Sequence, residues 1–192
     1  MHGPCLYVQG FGDMGRPSSR PLPAWPTNDL NSPAWFLLTV RPQNERSVAR
    51  ALKAKGFEVF VPTRAVRSQW SDRLKVQDVP LFPFYVFCRF SPRDWPIILG
   101  TFGLTGYRQC EKPVIVTDAE VESLKRIGSL YAAETCDPPG LGEEVQVRSD
   151  PGIRGILLRG GPVWRVAVDF QSIGQFVVIE APSDQFVRVA DA

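Results

Sequence analysis

Few side chains here could do covalent chemistry. The only histidine is His2, outside the regularly patterned part of the chain. That argues against a His-dependent triad and against most His-ligated metal sites. Cys5, Cys88, Cys110 and Cys136 are far apart and form no CxxC, so neither a zinc ribbon nor a thioredoxin-type site is expected. Cys88 lies in an apolar run and reads as a core residue, and the thiols are expected to be reduced. The best carboxylate pairs are Glu143 with Glu144 and Asp150 with Asp169. Adjacent residues of a strand point to opposite faces, so Glu143 and Glu144 make a poor acid/base pair. No Gly-Lys phosphate loop is present. The expectation is a protein that is not an enzyme and uses no cofactor or metal.

Aromatic and basic side chains are better placed. Val79-Pro80-Leu81-Phe82-Pro83-Phe84-Tyr85-Val86-Phe87 carries no charge and leads into Cys88-Arg89-Phe90. Proline is excluded from central ladder positions, so Pro80 and Pro83 mark a turn feeding a strand. Alternation puts Tyr85, Phe87 and Arg89 on one face and Val86, Cys88 and Phe90 on the other. Either the first face is an exposed aromatic docking surface, or the strand is buried on both faces. Arg41, Asn44, Arg46, Arg50, Lys53 and Lys55 decorate a helix and its entry, where phosphate contacts would give salt-dependent, weakly specific affinity. Trp70, between Arg67 and Arg73 at a polar hairpin tip, is placed to stack on an unpaired base. A solvated helix face and an ordinary loop are the plain alternatives.

Charge is uneven although the net value is only +2. Residues 35–110 hold twelve Lys/Arg against five Asp/Glu, and residues 111–192 hold eight against thirteen. The halves are therefore expected to have different partners. No apolar run approaches the ~20 residues of a membrane helix. The N-terminus lacks a charged segment followed by an apolar one, so no secretory signal is expected and a cytoplasmic location is.

These side chains need elements to hold them. Residues 1–34 are rich in Gly and Pro without periodicity and read as a flexible extension, or as residues ahead of the true start. A strand over 35–41, a helix over 43–55 stopped by Gly56, and strands over 57–62 and 64–69 follow. The aromatic strand comes next. Ser91 with Asp94, and Thr117 with Glu120, are spaced as capping boxes, the second opening a helix over 118–131. Short strands over 103–107 and 113–116 lie between. Residues 35–131 are thus expected to be an α+β domain, an antiparallel sheet flanked by helices. Residues 132–141 read as a linker. Five short β segments over 142–192 predict a small barrel.

From Trp35 onward the chain resembles the NusG family of transcription elongation factors. The resemblance rests on Trp35-Phe36-Leu37-Leu38, on Arg41-Pro42-Gln43-Asn44-Glu45, on Gly56 through Pro62, and most specifically on Val79 through Phe87. Gly142 through Val147 and Gly155-Ile156-Leu157 look like a KOW module, an SH3-like barrel. Gln69 through Arg73 and Pro80 through Pro83 lean towards specialised paralogues similar to RfaH.

The resemblance implies a monomeric regulator that docks on the largest-subunit clamp of RNA polymerase. It implies contact with non-template DNA of the transcription bubble, processive elongation or antitermination, and a KOW domain that tethers Rho or a small-subunit ribosomal protein. The docking positions would be Trp35, Phe82, Pro83, Phe84, Tyr85 and Phe87. Nucleic acid would meet Arg41, Asn44, Arg46, Arg50, Lys55, Trp70 and Arg73. KOW partners would meet Ile173 and Gly174, with Gly155 at a tight turn. Trp35 and Phe82 read more readily as plain core filling. Two departures stand out. The loop Ser149-Asp150-Pro151-Gly152 lacks an aromatic that the family uses for partners, and Phe84 stands where the family commonly has a small or polar residue. The competing class is a KOW-type RNA-binding or ribosome-associated protein without polymerase binding, for which a basic C-terminal half would be expected. β-branched alternation over Val163–Val168 and Phe176–Ile179 favours strands over a helical hairpin.

Overall fold

β1 (Ala34–Val40) is apolar at almost every position because both its faces are covered. The computed structural model describes residues 29–70, 73–107, 113–136 and 142–191. After β1 come α1 (Glu45–Ala54), β2 (Glu58–Phe60), β3 (Thr63–Trp70), β4 (Arg73–Pro80) and β5 (Tyr85–Phe90). Then follow α2 (Trp95–Leu99), β6 (Leu104–Tyr107), β7 (Ile115–Val116) and α3 (Asp118–Leu130). The remainder is β8 (Ala132–Cys136), β9 (Glu143–Val147), β10 (Asp150–Arg159), β11 (Val163–Phe170), β12 (Gln175–Pro182) and β13 (Phe186–Arg188).

The first sheet has the order β2-β5-β1-β6, with β7 also pairing β1, and all its pairs are antiparallel. The β1–β5 register sets Leu37 opposite Phe87 on one face, and Phe36 opposite Cys88 and Leu38 opposite Val86 on the other. The second set packs with Val48, Ala49 and Leu52 of α1 and Trp95 and Ile98 of α2. The first set packs with Val121, Leu124 and Ile127 of α3. Helices therefore cover both faces, and β3–β4 projects as a separate hairpin in register from Thr63↔Pro80 to Trp70↔Arg73.

Local signals place the helices. Gly56, at φ 89, ends α1 in the left-handed region as its sequence position predicts. Thr117 and Glu120 form the expected capping box at α3. Ser91 does not cap α2: its hydroxyl donates to the Asn31 carbonyl at 2.8 Å and fastens the strand entry instead.

The C-terminal half departs from the expected closed barrel. Its six strands run β13-β9-β10-β11-β12-β8, and the end strands β13 and β8 do not pair with each other. β8 is the reason. It lies within the stretch read as a linker, yet it pairs with β12 from Phe176↔Cys136 to Glu180↔Ala132. It occupies the free edge of β12, so the ladder stops there instead of turning back to β13. The first 28 residues of the chain, residues 137–141 of the linker and Ser71 and Asp72 of the hairpin tip lie outside the described residues.

Candidate docking surfaces

The aromatic strand is the first candidate, and it is buried on both faces. Phe87 is 0% exposed and Phe82 1%. Their ring centroids lie 6.2 Å apart, and Phe60 is 6.0 Å from Phe87 on the other side. Trp35 is also buried, with the Lys125 ammonium of α3 at 5.7 Å from its ring centroid. An open aromatic face does not form because α3 lays its apolar stripe across it. Of the six residues expected to dock polymerase, Pro83 and Phe84 are exposed and Tyr85 is half-buried.

Phe84 is held in a costly conformation. Its φ is 71°, in the left-handed region where a bulky side chain is strained. Its N–H donates to the Glu45 carboxylate at 2.9 Å, and its carbonyl accepts from the Val40 N–H at 2.9 Å. Glu45, at the start of α1, is buried, so the strained turn is tied to that helix. This explains why a small or polar residue is the easier choice there. Gln43, at φ 62, is a second left-handed residue of the loop between β1 and α1.

The expected basic residues separate into different roles. Arg41 and Arg50 are exposed. Arg46 donates to the Asp78 carbonyl and ties α1 to the hairpin. Lys55 donates to the Ile97 carbonyl at 2.9 Å and to Thr101 Oγ1 at 2.7 Å, so it braces α2. Asn44 donates to the Pro42 carbonyl at 3.2 Å. Trp70 and Arg73 close the hairpin register, and their side chains lie outside the described set. One residue was missed by sequence reasoning: Phe102 is 83% exposed, with the Arg41 guanidinium 5.7 Å from its ring centroid. Composition alone did not separate it from other turn residues.

In the C-terminal half, Ile173 is 1% exposed rather than presented on a loop. Gly174 is exposed at φ 63. Gly155 sits mid-strand between Val145 and Val168, not at a turn. A Cβ there would run into the Ala167 carbonyl oxygen, so the constraint is close strand approach.

The two halves touch through α3. Glu120 accepts from the Ser172 hydroxyl at 2.6 Å and from the Ser172 N–H at 3.1 Å. Arg64 of β3 pairs with Glu134 of β8 at 2.9 Å. Register puts Ala167 opposite Val178 on the sheet face turned to α3 and β3, and both are buried. One apolar cluster runs from Trp35 and Phe87 through α3 to Phe170 and Ile173.

Two carboxyls make this contact pH-sensitive. Burial pushes Glu120 up, but hydrogen bonds from Ser172 and Thr117 outweigh it and hold Glu120 below its ordinary 4.5. Burial, and then the Glu120 charge, push Asp169 above its ordinary 3.8. The signs oppose each other. Asp169 destabilises the contact when ionised, so the contact strengthens as pH falls through its raised value. Glu120 stabilises the contact when ionised, and that contribution is lost as pH falls through its lowered value. The two contributions therefore oppose each other on acidification, and Asp169→Asn, which removes the Asp169 relief, is expected to lose stability against denaturant more steeply than the wild type as pH falls. An unchanged profile in that variant would rule out the assignment.

Residues 33–125 match the family model described as transcription termination factor nusG. Among solved structures, one describing domain interaction in Thermotoga maritima NusG has a TM-score of 0.55 at 18% identity, covering 82% of this chain and 98% of that one. That likeness extends the shared fold beyond the matched family segment. A structure of an MjSpt4:Spt5 complex in conformation A aligns with a TM-score of 0.27 at 13% identity, over 81% of this chain and 97% of that one. Comparison with curated proteins finds no match. No described helix is long and apolar enough to cross a membrane, and the described residues contain no metal-binding cluster. The segment that holds the first sheet, the strained Phe84 turn and most of α3 is thus similar to a NusG domain over just under half of the chain, and the likeness to the Thermotoga maritima structure is one of fold.

Proposed function

We propose that this protein regulates transcription elongation by docking on the clamp of RNA polymerase and favouring processive synthesis or antitermination, as an RfaH-like paralogue. The observation that carries this reading is the NusG-family match over 33–125, which includes the whole Val79–Phe87 motif. Pro83, Phe84 and Tyr85 form the accessible part of the docking surface. Trp35, Phe82 and Phe87 support it from beneath. Arg41 and Arg50 face non-template DNA, Arg46, Asn44 and Lys55 shape that face, and Trp70 and Arg73 extend it at the hairpin. The C-terminal sheet is a KOW-type module that recruits a further factor, Rho or a small-subunit ribosomal protein, through Ile173 and Gly174. Because Ile173 is buried beside α3, that recruitment follows separation of the halves.

The test is capture of cognate RNA polymerase core by the full chain, with Phe84→Ala as the docking variant. Phe84 is exposed and strained, so its truncation leaves the fold intact while removing an aromatic anchor. Capture by the wild type, weakened about thirtyfold or more in the variant, is the expected result, on the scale of about 2 kcal/mol for an aromatic anchor. Absence of capture by the wild type, on core enzyme and on a paused elongation complex alike, would discard the polymerase reading.

A further inference from the structure

Building on the docking surface proposed above, we infer that Glu45 is a positioning residue for it: the buried carboxylate locks the Pro83–Phe84 peptide in the orientation that sets the Pro83 carbonyl beside the Phe84 ring on the docking face. Phe82 to Tyr85 form a four-residue turn, with the Tyr85 N–H donating to the Phe82 carbonyl at 3.4 Å. Pro83 holds its second position and Phe84 its third, at φ 71. That is the pattern of a type II turn, whose third position normally goes to glycine or asparagine. A phenylalanine there is strained. The commoner type I turn avoids the strain. It differs chiefly by a half-rotation of the central peptide, here Pro83–Phe84, and needs no positive φ. Both turn types make the closing bond, so that bond does not decide between them.

Glu45 decides. Its carboxylate accepts the Phe84 N–H at 2.9 Å, across 39 positions of sequence. A half-rotation of the peptide would carry that N–H away and bring the Pro83 carbonyl oxygen towards the carboxylate, exchanging a charge-assisted bond for repulsion. Glu45 is also the only charged side chain buried among the described residues. As the first residue of α1 it suits the positive end of the helix, but an exposed acid would serve the helix as well. The peptide it holds explains why it turns inward. The Phe84 carbonyl, accepting the Val40 N–H at 2.9 Å, fixes the far side of the turn. The Pro83–Phe84 peptide is trans, so the Pro83 carbonyl points opposite to that N–H, away from Glu45. Pro83 and Phe84 are both exposed. The docking face thus shows an apolar ring beside a backbone acceptor. It fits a polymerase surface that pairs an apolar contact with a hydrogen-bond donor. Holding the turn in one form before contact lowers the ordering cost of binding.

The test combines capture of RNA polymerase core by the full chain with amide hydrogen exchange at Phe84, read by NMR. Glu45→Ala is expected to speed Phe84 exchange and to weaken capture, each by about tenfold or more. Glu45→Gln, which keeps an acceptor oxygen within reach of the N–H, should retain most of both. In a Phe84→Gly background, Glu45→Ala should cost little further capture, since glycine takes a φ of 71 unaided. A role confined to folding or to α1 would lower capture equally in both backgrounds, and that result overturns the proposal. Unchanged Phe84 exchange in Glu45→Ala overturns it too, and leaves the polymerase reading standing. If the wild type captures no polymerase, the docking role falls with that reading, while the exchange arm separately reports whether Glu45 locks the turn.

Discussion

Phe87→Ala is expected to cost about 3–5 kcal/mol of folding stability, the range for deleting a buried phenyl ring. The side chain is fully enclosed, between Phe60 and Phe82 and beneath α3. A protein of this size has about 5–15 kcal/mol in total, so the variant would stand near its unfolding threshold. Urea unfolding of the wild type and the variant measures the difference, and a loss under about 1 kcal/mol would contradict the burial described above. The consequence for function is practical. Loss of polymerase binding in a Tyr85→Ala/Phe87→Ala double variant would report unfolding as readily as docking. Phe84 separates the two because it reaches solvent.

Gly155→Ala is expected to cost about 3 kcal/mol, the upper part of the range for overpacking a well-filled site. The added carbon would meet the Ala167 carbonyl oxygen and lie 2.7 Å from Val166 Cγ1. A backbone carbonyl in a ladder cannot swing aside as a side chain can. The effect should spread to β9 and β11, which flank the position. Gly174→Ala gives the contrast: its site is open, and only the left-handed φ of 63 resists a side chain. That cost is about 1 kcal/mol. Denaturant midpoints of the two variants check the order, and the reverse order would refute close strand approach as the constraint at Gly155.

Much of the first domain was legible in the residues. Alternation in Tyr85–Phe90, the Gly56 stop and the Thr117–Glu120 capping box each act through neighbours in sequence, and each holds in the structure. The choice between an exposed and a buried aromatic face was not legible. It depends on α3, some thirty residues later, crossing that face. The role of Lys55 was hidden for the same reason: its partners, Ile97 of α2 and Thr101 of the turn after it, are more than forty residues away. Ile173 looked like a loop anchor until the contact with α3 placed its neighbour Ser172 on Glu120. In each case the local pattern was sound and a long-range contact decided exposure. The linker failed differently. Ala132–Cys136 has weak strand propensity, and an unpaired edge of β12 supplied what propensity did not.

That edge pairing changes how the connection tolerates alteration in length. Flexible connectors absorb an added or lost residue at almost no cost. β8 follows α3 with Tyr131 alone between them, and Ala133 points inward opposite Ile179 while Glu134 reaches Arg64. Inserting one residue at Tyr131 would exchange these two directions, sending a carboxylate inward and an alanine outward. The joint therefore behaves as a reading frame: two-residue changes preserve its phase and single-residue changes invert it, so its length is as constrained as that of a core strand.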